Sequence, residues 1–266
     1  MNATHQTSAA SSSKVAVRGV SVAYGSHRAL AKVSLDVRDG AFVCLLGPSG
    51  CGKTTLLNAI AGFVQPSTGE ISVDGALVNA PGADRGMVFQ EYALFPWFTI
   101  EQNVQYGPRL RGVAKSELES ISDHYLKLVH LEENKERYPN QLSGGQRQRV
   151  AIARALANQP KILLMDEPFG ALDAMTRETL QEELLAIWQA ERRTCIFVTH
   201  SIGEAVFLAD TVVVMQARPG RIDAVIENAL PRPRDRTSDA FFALYREIDE
   251  LLRVAHNADD TNRPAA

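Results

Sequence analysis

The segment from 41 to 63 constrains this chain more than any other. AFVCLL is an almost wholly apolar run of strand length, as expected of a strand buried on both faces. It passes directly into Gly47-Pro48-Ser49-Gly50-Cys51-Gly52-Lys53-Thr54-Thr55, after which TLLNAIAGF reads as a helix. The pattern G-x-x-x-x-G-K-[ST] between a strand and a helix is a cradle for phosphate. Its glycines let the backbone wrap closely and turn N–H groups toward phosphate oxygens. A helix starting near Lys53 aims the positive end of its dipole at the same place. Lys53 would neutralise the β- and γ-phosphates, and Thr54 would offer a hydroxyl to Mg²⁺.

A buried strand needs a sheet around it. KVAVRGV and VSLDV alternate apolar and polar residues, so each is predicted to have one wet face. EISVDG and ALVNA form a further predicted pair around a Gly-containing turn. From roughly 100 to 160 the β signals vanish. Asn103, Asp123 and Ser143 sit near predicted helix starts, and LESISDHYLKLVHL has helical spacing. This stretch reads as a helical subdomain inserted into an α/β body. Alternation then resumes: KILLMD and CIFVT as strands, SIGEAVFLAD as a helix, TVVVM as a strand. Between the first two, MTRETLQEELLAIWQAER is a helix with Leu180, Leu184, Ile187 and Trp188 on one face. Such alternation implies a mainly parallel sheet with helices on both sides.

The ends are of another kind. MNATHQTSAASSS has neither a basic n-region nor an apolar h-region, so residues 1–13 read as a disordered polar tail rather than a signal peptide. PRPRDR at 231–236 is a Pro/Arg break, followed by an amphipathic helix over about 238–254 and an end, NADDTNRPAA, expected to fray. No apolar run approaches the ~18–20 residues that cross a bilayer, so the chain is expected inside the cell, and at a membrane only through a partner. The 28 basic and 31 acidic residues give a net charge of −3 and no electrostatic case for nucleic acid. Cys44, Cys51 and Cys195 show no paired metal spacing and suit a reducing compartment.

Ile162-Leu163-Leu164-Met165-Asp166-Glu167 is a second chemical element. The strand buries its apolar part and delivers two carboxylates to the sheet's C-terminal edge, where ligands bind in such sheets. Asp166 would hold Mg²⁺ directly or through water. Glu167 would then orient or deprotonate an attacking water.

Leu142-Ser143-Gly144-Gly145-Gln146, followed by Arg147-Gln148-Arg149, lies between these two elements and matches the signature of ATP-binding-cassette (ABC) ATPases. Over about residues 14–225 the chain resembles an ABC transporter ATPase subunit. The resemblance implies an α/β P-loop NTPase of ABC type, with a mainly parallel core sheet, an antiparallel β arm and an inserted helical subdomain. It gives an ATPase domain over 14–230 with the helical part at about 91–160, ahead of a C-terminal segment at 231–266. It also implies roles. Tyr24, in SVAYG, matches the aromatic that stacks on adenine. Gln90, in MVFQEYALFPW, matches the Q-loop glutamine that meets Mg²⁺ or the attacking water. Gly170-Ala171-Leu172-Asp173 matches the D-loop, and His200, in FVTHS, the switch histidine that contacts the γ-phosphate. Two copies would sandwich two ATP molecules, with Ser143 and Gly145 reaching the γ-phosphate bound by the other copy. A bulky reagent at Cys51 is expected to block ATP binding, and prior ATP to protect.

A single cassette with no membrane span resembles the separate ATPase subunits of bacterial importers. With about 50 residues after TVVVM, the chain is expected to be without the extra C-terminal β-domain of sugar and polyamine importer subunits. ADRGMVFQEYALFPWFTIEQNV, DEPFGALDAMTRETLQEEL and VVVMQARPGRI are similar to the nitrate/sulfonate/taurine importer group, Pro96-Trp97 and Arg218–Arg221 most of all. That resemblance implies two permease subunits, a periplasmic solute-binding protein and a peripheral place on the cytoplasmic face of the inner membrane. Tyr92, Phe95, Trp97 and Phe98 either form an apolar docking site for the membrane subunit or pack inside the helical subdomain. The alternatives are a soluble, non-transport ABC ATPase such as an assembly factor, an importer of another solute such as a pyrimidine precursor, and a lipopeptide or lipoprotein exporter ATPase.

Overall fold

The computed structural model describes residues 13–261. The order is β1 (Val15–Tyr24), β2 (His27–Val37), β3 (Phe42–Leu46), α1 (Lys53–Ala61), β4 (Thr68–Val73), β5 (Ala76–Leu77) and β6 (Arg85–Val88), then α2 (Ile100–Leu110), α3 (Lys115–Leu128) and α4 (Gly144–Ala157). It continues through β7 (Ile162–Asp166), α5 (Ala174–Glu191), β8 (Thr194–Thr199), α6 (Ile202–Leu208), β9 (Thr211–Gln216), β10 (Arg221–Glu227) and α7 (Asp239–Thr261).

Two sheets result. The larger runs β10-β9-β3-β8-β7-β6, parallel except for β10, which pairs antiparallel with β9. The smaller, β2-β1-β4-β5, is antiparallel. The composition of β3 explains its central place. Alternate residues of a strand point to opposite faces. Phe42, Cys44 and Leu46 join the core that packs α2 to α7, while Val43 and Leu45 join the core shared with α1 and the antiparallel sheet. A strand covered on both faces has no position for a polar side chain. Helices α2, α3 and α4 fall between β6 and β7, where the sequence lost its β signal.

Some expectations need correction. Asn103 does lie near a helix start, in the first turn of α2, but Asp123 does not. Thr99 caps α2, accepting from Gln102 N while the Gln102 side chain bonds back, and Asp123 lies inside α3. Ser143 stands at its helix start and caps α4, with Gln146 as its reciprocal partner. Strand β10 went unread because its exposed and half-buried residues alternate beyond a turn whose Pro and Gly read as loop. The last helix runs to Thr261 rather than ending near Val254, so residues 257–261 of the expected frayed end are helical and 262–266 lie outside the described residues. The polar tail also lies outside them, save Ser13, whose hydroxyl donates to Asp36. No helix among the described residues is long and apolar enough to cross a membrane.

Candidate nucleotide site

Strand order brings the site together. With β3 beside β8, and β8 beside β7, three C-terminal strand ends meet at one edge. From β3 emerges the phosphate loop, from β7 Asp166 and Glu167, and from β8 His200. Gly52 caps α1 in the left-handed region, φ 93°, with no side-chain cap, so the first-turn N–H groups of the helix have no intrahelical partner. Such a terminus is built for an anion. Gly50, at φ 79°, turns the loop ahead of it. Lys53 is buried, and its ammonium donates to the carbonyls of Gly47 at 2.8 Å and Pro48 at 3.0 Å. An ammonium has three donors, and the third meets only the weak sulfur acceptor of Cys51, at 4.0 Å.

Beside the loop, Thr54 Oγ1 donates to Asp166 Oδ1 at 2.9 Å. Burial pushes the Asp166 carboxyl above its ordinary value, and the Thr54 hydrogen bond opposes that rise. These are hard oxygen ligands of the kind Mg²⁺ takes. No group of three or more His, Cys, Asp or Glu side chains among the described residues could hold a metal, so donors of other kinds, such as an amide, phosphate oxygens or water, would complete any shell here.

Glu167 follows at φ 43°, a conformation uncommon for a residue with a side chain. Its N–H donates to Val198 O of β8, fixing the bend. The bend sends the carboxylate to His200, with Nδ1 2.9 Å from Glu167 Oε2. A carboxylate only accepts, so Nδ1 carries the proton and Nε2 is left to face outward. The His200 side chain is 61% exposed.

Tyr24, Ser49, Gly50, Gly52, Lys53, Thr54, Thr55 and Glu167 line one cavity of about 340 Å³, together with His27 and Ala29, which the sequence did not single out. Both follow Tyr24 across the β1–β2 turn, and that nearness was the one signal available. Ser143, Gly145 and Gln146 line a different cleft, of about 250 Å³, with Arg149, Met175 and Thr176. Asp173 caps α5 by accepting from Thr176 N, a bond that holds its carboxyl below the ordinary value. Within one chain, then, the phosphate loop and the Ser143 loop do not share a cavity.

A sequence profile described as "ABC transporter" matches residues 30–170. The chain belongs to the ABC transporter family. It is an ATP-binding cassette that hydrolyses ATP. Among its relatives, an uncharacterized ABC transporter ATP-binding protein of Methanocaldococcus jannaschii is 54% identical over 85% of each chain. The nitrate import ATP-binding protein NrtD of Synechocystis is 48% identical over 86% of this chain and 90% of its own. The taurine import ATP-binding protein TauB of Jannaschia is 49% identical over 78% and 80%. A dimeric ATP-binding cassette in a post-hydrolysis state, bound to ADP and Pi, superposes with a TM-score of 0.70 at 33% identity, covering 82% of this chain and 100% of that one.

Other side chains of the cassette fall less simply. Gln90 is exposed and does not line the loop cavity, yet its Nε2 lies 3.7 Å, and Glu167 Oε2 4.0 Å, from where a Cβ on Gly170 would sit. The segment after Gln90 is tied to α4: Arg154 donates to the Ala93 and Tyr92 carbonyls at 2.6 and 3.0 Å. Of the four aromatics, Tyr92 lies under Arg147, and Phe95 and Phe98 pack on Tyr106, all three partly buried. Only Trp97 of these four is exposed, at 66%. Asn103, in the first turn of α2, fixes this loop: it accepts from Phe95 N and donates to the Phe95, Phe98 and Thr99 carbonyls.

Cys51 requires a correction. Its residue is fully buried in the core beneath the loop, where its Sγ lies 4.0 Å from the Lys53 ammonium nitrogen. Burial also pushes its thiol above the ordinary value, the Lys53 charge opposing. A bulky reagent has no direct route to it. The Arg218–Arg221 run forms the β9–β10 turn, and its Gly220 exchanges hydrogen bonds with Ala29 and Ala31 next to the phosphate loop.

Proposed function

We propose that this chain energises an importer of a small anion such as nitrate, taurine or an alkanesulfonate, as a pair of copies docked on two membrane-spanning permease subunits at the cytoplasmic face of the inner membrane. A periplasmic solute-binding protein supplies the solute. Residues 14–230 are the cassette domain, 91–160 its helical subdomain and 231–266 a C-terminal addition. The nitrate and taurine import proteins among the relatives support the substrate class.

The observation that carries the catalytic reading is the Glu167–His200 pair at the mouth of the Lys53 cavity. Tyr24 stacks on the adenine at the rim. Backbone N–H groups from Ser49 to Thr55, with Lys53, hold the phosphates of ATP. Thr54, Asp166 and Gln90 would hold Mg²⁺, which when bound would neutralise charge on the transferring phosphoryl group. Glu167 accepts the proton of the attacking water. His200, fixed through Nδ1, presents Nε2 to the γ-phosphate. The Ser143–Gln146 loop lies in a separate cleft of the same chain, which supports a head-to-tail dimer in which each ATP is closed by the partner's copy of this loop. ATP drives closure because it binds the closed pair better than the open one.

A groove of about 440 Å³ lined by Gly86, Phe89, Phe95, Tyr106, Leu110 and Arg154, with Trp97 beside it, is suited to receive a helix of the permease. The test is ATP turnover of the purified chain, alone and with permease and solute-loaded binding protein in vesicles, across nitrate, taurine, alkanesulfonates and a pyrimidine precursor. Stimulation by one anion supports the reading and names the solute. Turnover indifferent to every membrane partner overturns it in favour of a non-transport ATPase.

A further inference from the structure

Glu204 is a carboxylate only 8% exposed, on α6, with no part in the chemistry above. Burying a carboxylate is costly unless every oxygen is met. Here both are. Oε2 accepts from the Thr199 hydroxyl, and Oε1 from Gln181 Nε2 at 3.0 Å. Thr199 in turn accepts from Ser201 N at 3.0 Å, so one hydroxyl clasps both sides of the turn that carries His200. Arg177 stands 4.0 Å from Glu204 Oε1 and donates to the Leu172 carbonyl at 2.8 Å, in the turn that leads from Glu167 to Asp173.

The connection runs outward as well. Gln181 Oε1 accepts from Arg236 Nη2 at 2.6 Å, and that guanidinium lies 3.6 Å over the Phe207 ring. Arg232 donates to Leu208 O and Arg234 to the Val206 and Phe207 carbonyls, closing the C-terminal end of α6. A seven-residue helix cannot hold its own position. The Pro/Arg segment at 231–236 is therefore a strap across α6, not a mere break.

We propose that Glu204 is a positioning residue for ATP hydrolysis, holding the His200 turn against Glu167, and that Arg236 fixes its place through Gln181. This rests on the roles given above to Glu167 and His200. A charged group buried among polar partners adds little net stability over an apolar one, so geometry is its main contribution here.

The test is steady-state hydrolysis of Mg-ATP by the purified full chain, with thermal melting of each variant. Glu204→Ala is expected to lower kcat about 10- to 100-fold with KM for ATP within about twofold, as for a misplaced catalytic group. Arg236→Met should lower kcat about 3- to 10-fold, and Arg236→Lys less than that. The Glu204→Ala, Arg236→Met pair should be no slower than Glu204→Ala alone, because both act on one connection. Phe242→Ala, a half-exposed residue of α7 outside the connection, should match the parent chain. If Glu204→Ala fails to fold, Glu204→Gln replaces it. Multiplying losses, a raised KM with unchanged kcat, or an Arg236→Met indistinguishable from Phe242→Ala would each overturn the proposal. His200→Ala separates the two levels. If it loses turnover while the Glu204 and Arg236 variants keep it, the positioning fails alone. If it keeps turnover, the role of His200 fails and the positioning with it.

Discussion

Gly220→Ala tests how the phosphate loop is supported. A Cβ at Gly220 would sit 2.3 Å from the Cys51 carbonyl oxygen, 2.6 Å from that of Ala29 and 3.0 Å from Leu30 Cδ2. Side-chain carbons essentially never approach closer than 3.0 Å, so something must move by at least about 0.7 Å. The turn cannot simply retreat. Gly220 N donates to Ala29 O at 3.0 Å and Gly220 O accepts from Ala31 N at 2.9 Å, which pin it to β2. The neighbour able to yield is the Cys51 peptide, whose loop carries the donors for phosphate. Overpacking of this kind costs about 1–3 kcal/mol. Taken wholly by the loop, that is a loss of roughly 5- to 150-fold in ATP affinity. Taken wholly by the fold, it is a Tm lower by about 2–4 °C per kcal/mol in a chain of this size. Titration of a fluorescent ATP analogue beside a melting curve measures both shares. Affinity and Tm both unchanged would show that the turn does not bear on the loop, and the reasoning would fail.

Three further outcomes are expected. Glu167→Gln should still bind ATP but lose on the order of 10²–10⁴-fold in hydrolysis, the usual worth of a general base; unchanged turnover in a phosphate-release assay removes that role. Asn103→Ala should lower Tm by the equivalent of about 1–3 kcal/mol, because it leaves the Phe95 N–H and the Phe98 carbonyl of the 95–99 loop without their side-chain partner; a melt identical to the parent would refute this. Cys44, Cys51 and Cys195 are all buried, and burial raises every thiol above its ordinary value. The thiolate is the nucleophile, so each has less reactive form at neutral pH than an exposed cysteine, and alkylation should be slow at pH 7 and quicken as pH rises or on unfolding. Rapid, stoichiometric labelling of the native chain at pH 7 would contradict the placement of Cys51.

The sequence alone determined whatever depends on neighbours along the chain. The glycine spacing at 47–54, the helix start at Ser143 and the carboxylates ending β7 are local arrangements, in which residue type and offset fix the backbone's donors and acceptors. The apolar run of β3 likewise announced a strand covered on both faces. Local pattern was weaker where a residue bonds beyond its own turn. Asn103 has the composition of a cap but serves a loop eight residues back, and β10 alternates like any exposed hairpin arm. What only the tertiary structure decided was which distant groups meet. Thr54 and Asp166, 112 residues apart, come to 2.9 Å because β3 and β7 flank β8. Glu167 reaches His200 because a backbone bond to β8 bends it into the left-handed region. Gly220 against Cys51, and Arg236 reaching Glu204 through Gln181, follow from the same strand order and from the path of the chain over α6. Periodicity tells which face of an element a side chain occupies, but not which element lies across that face. That choice is made by packing all the elements at once.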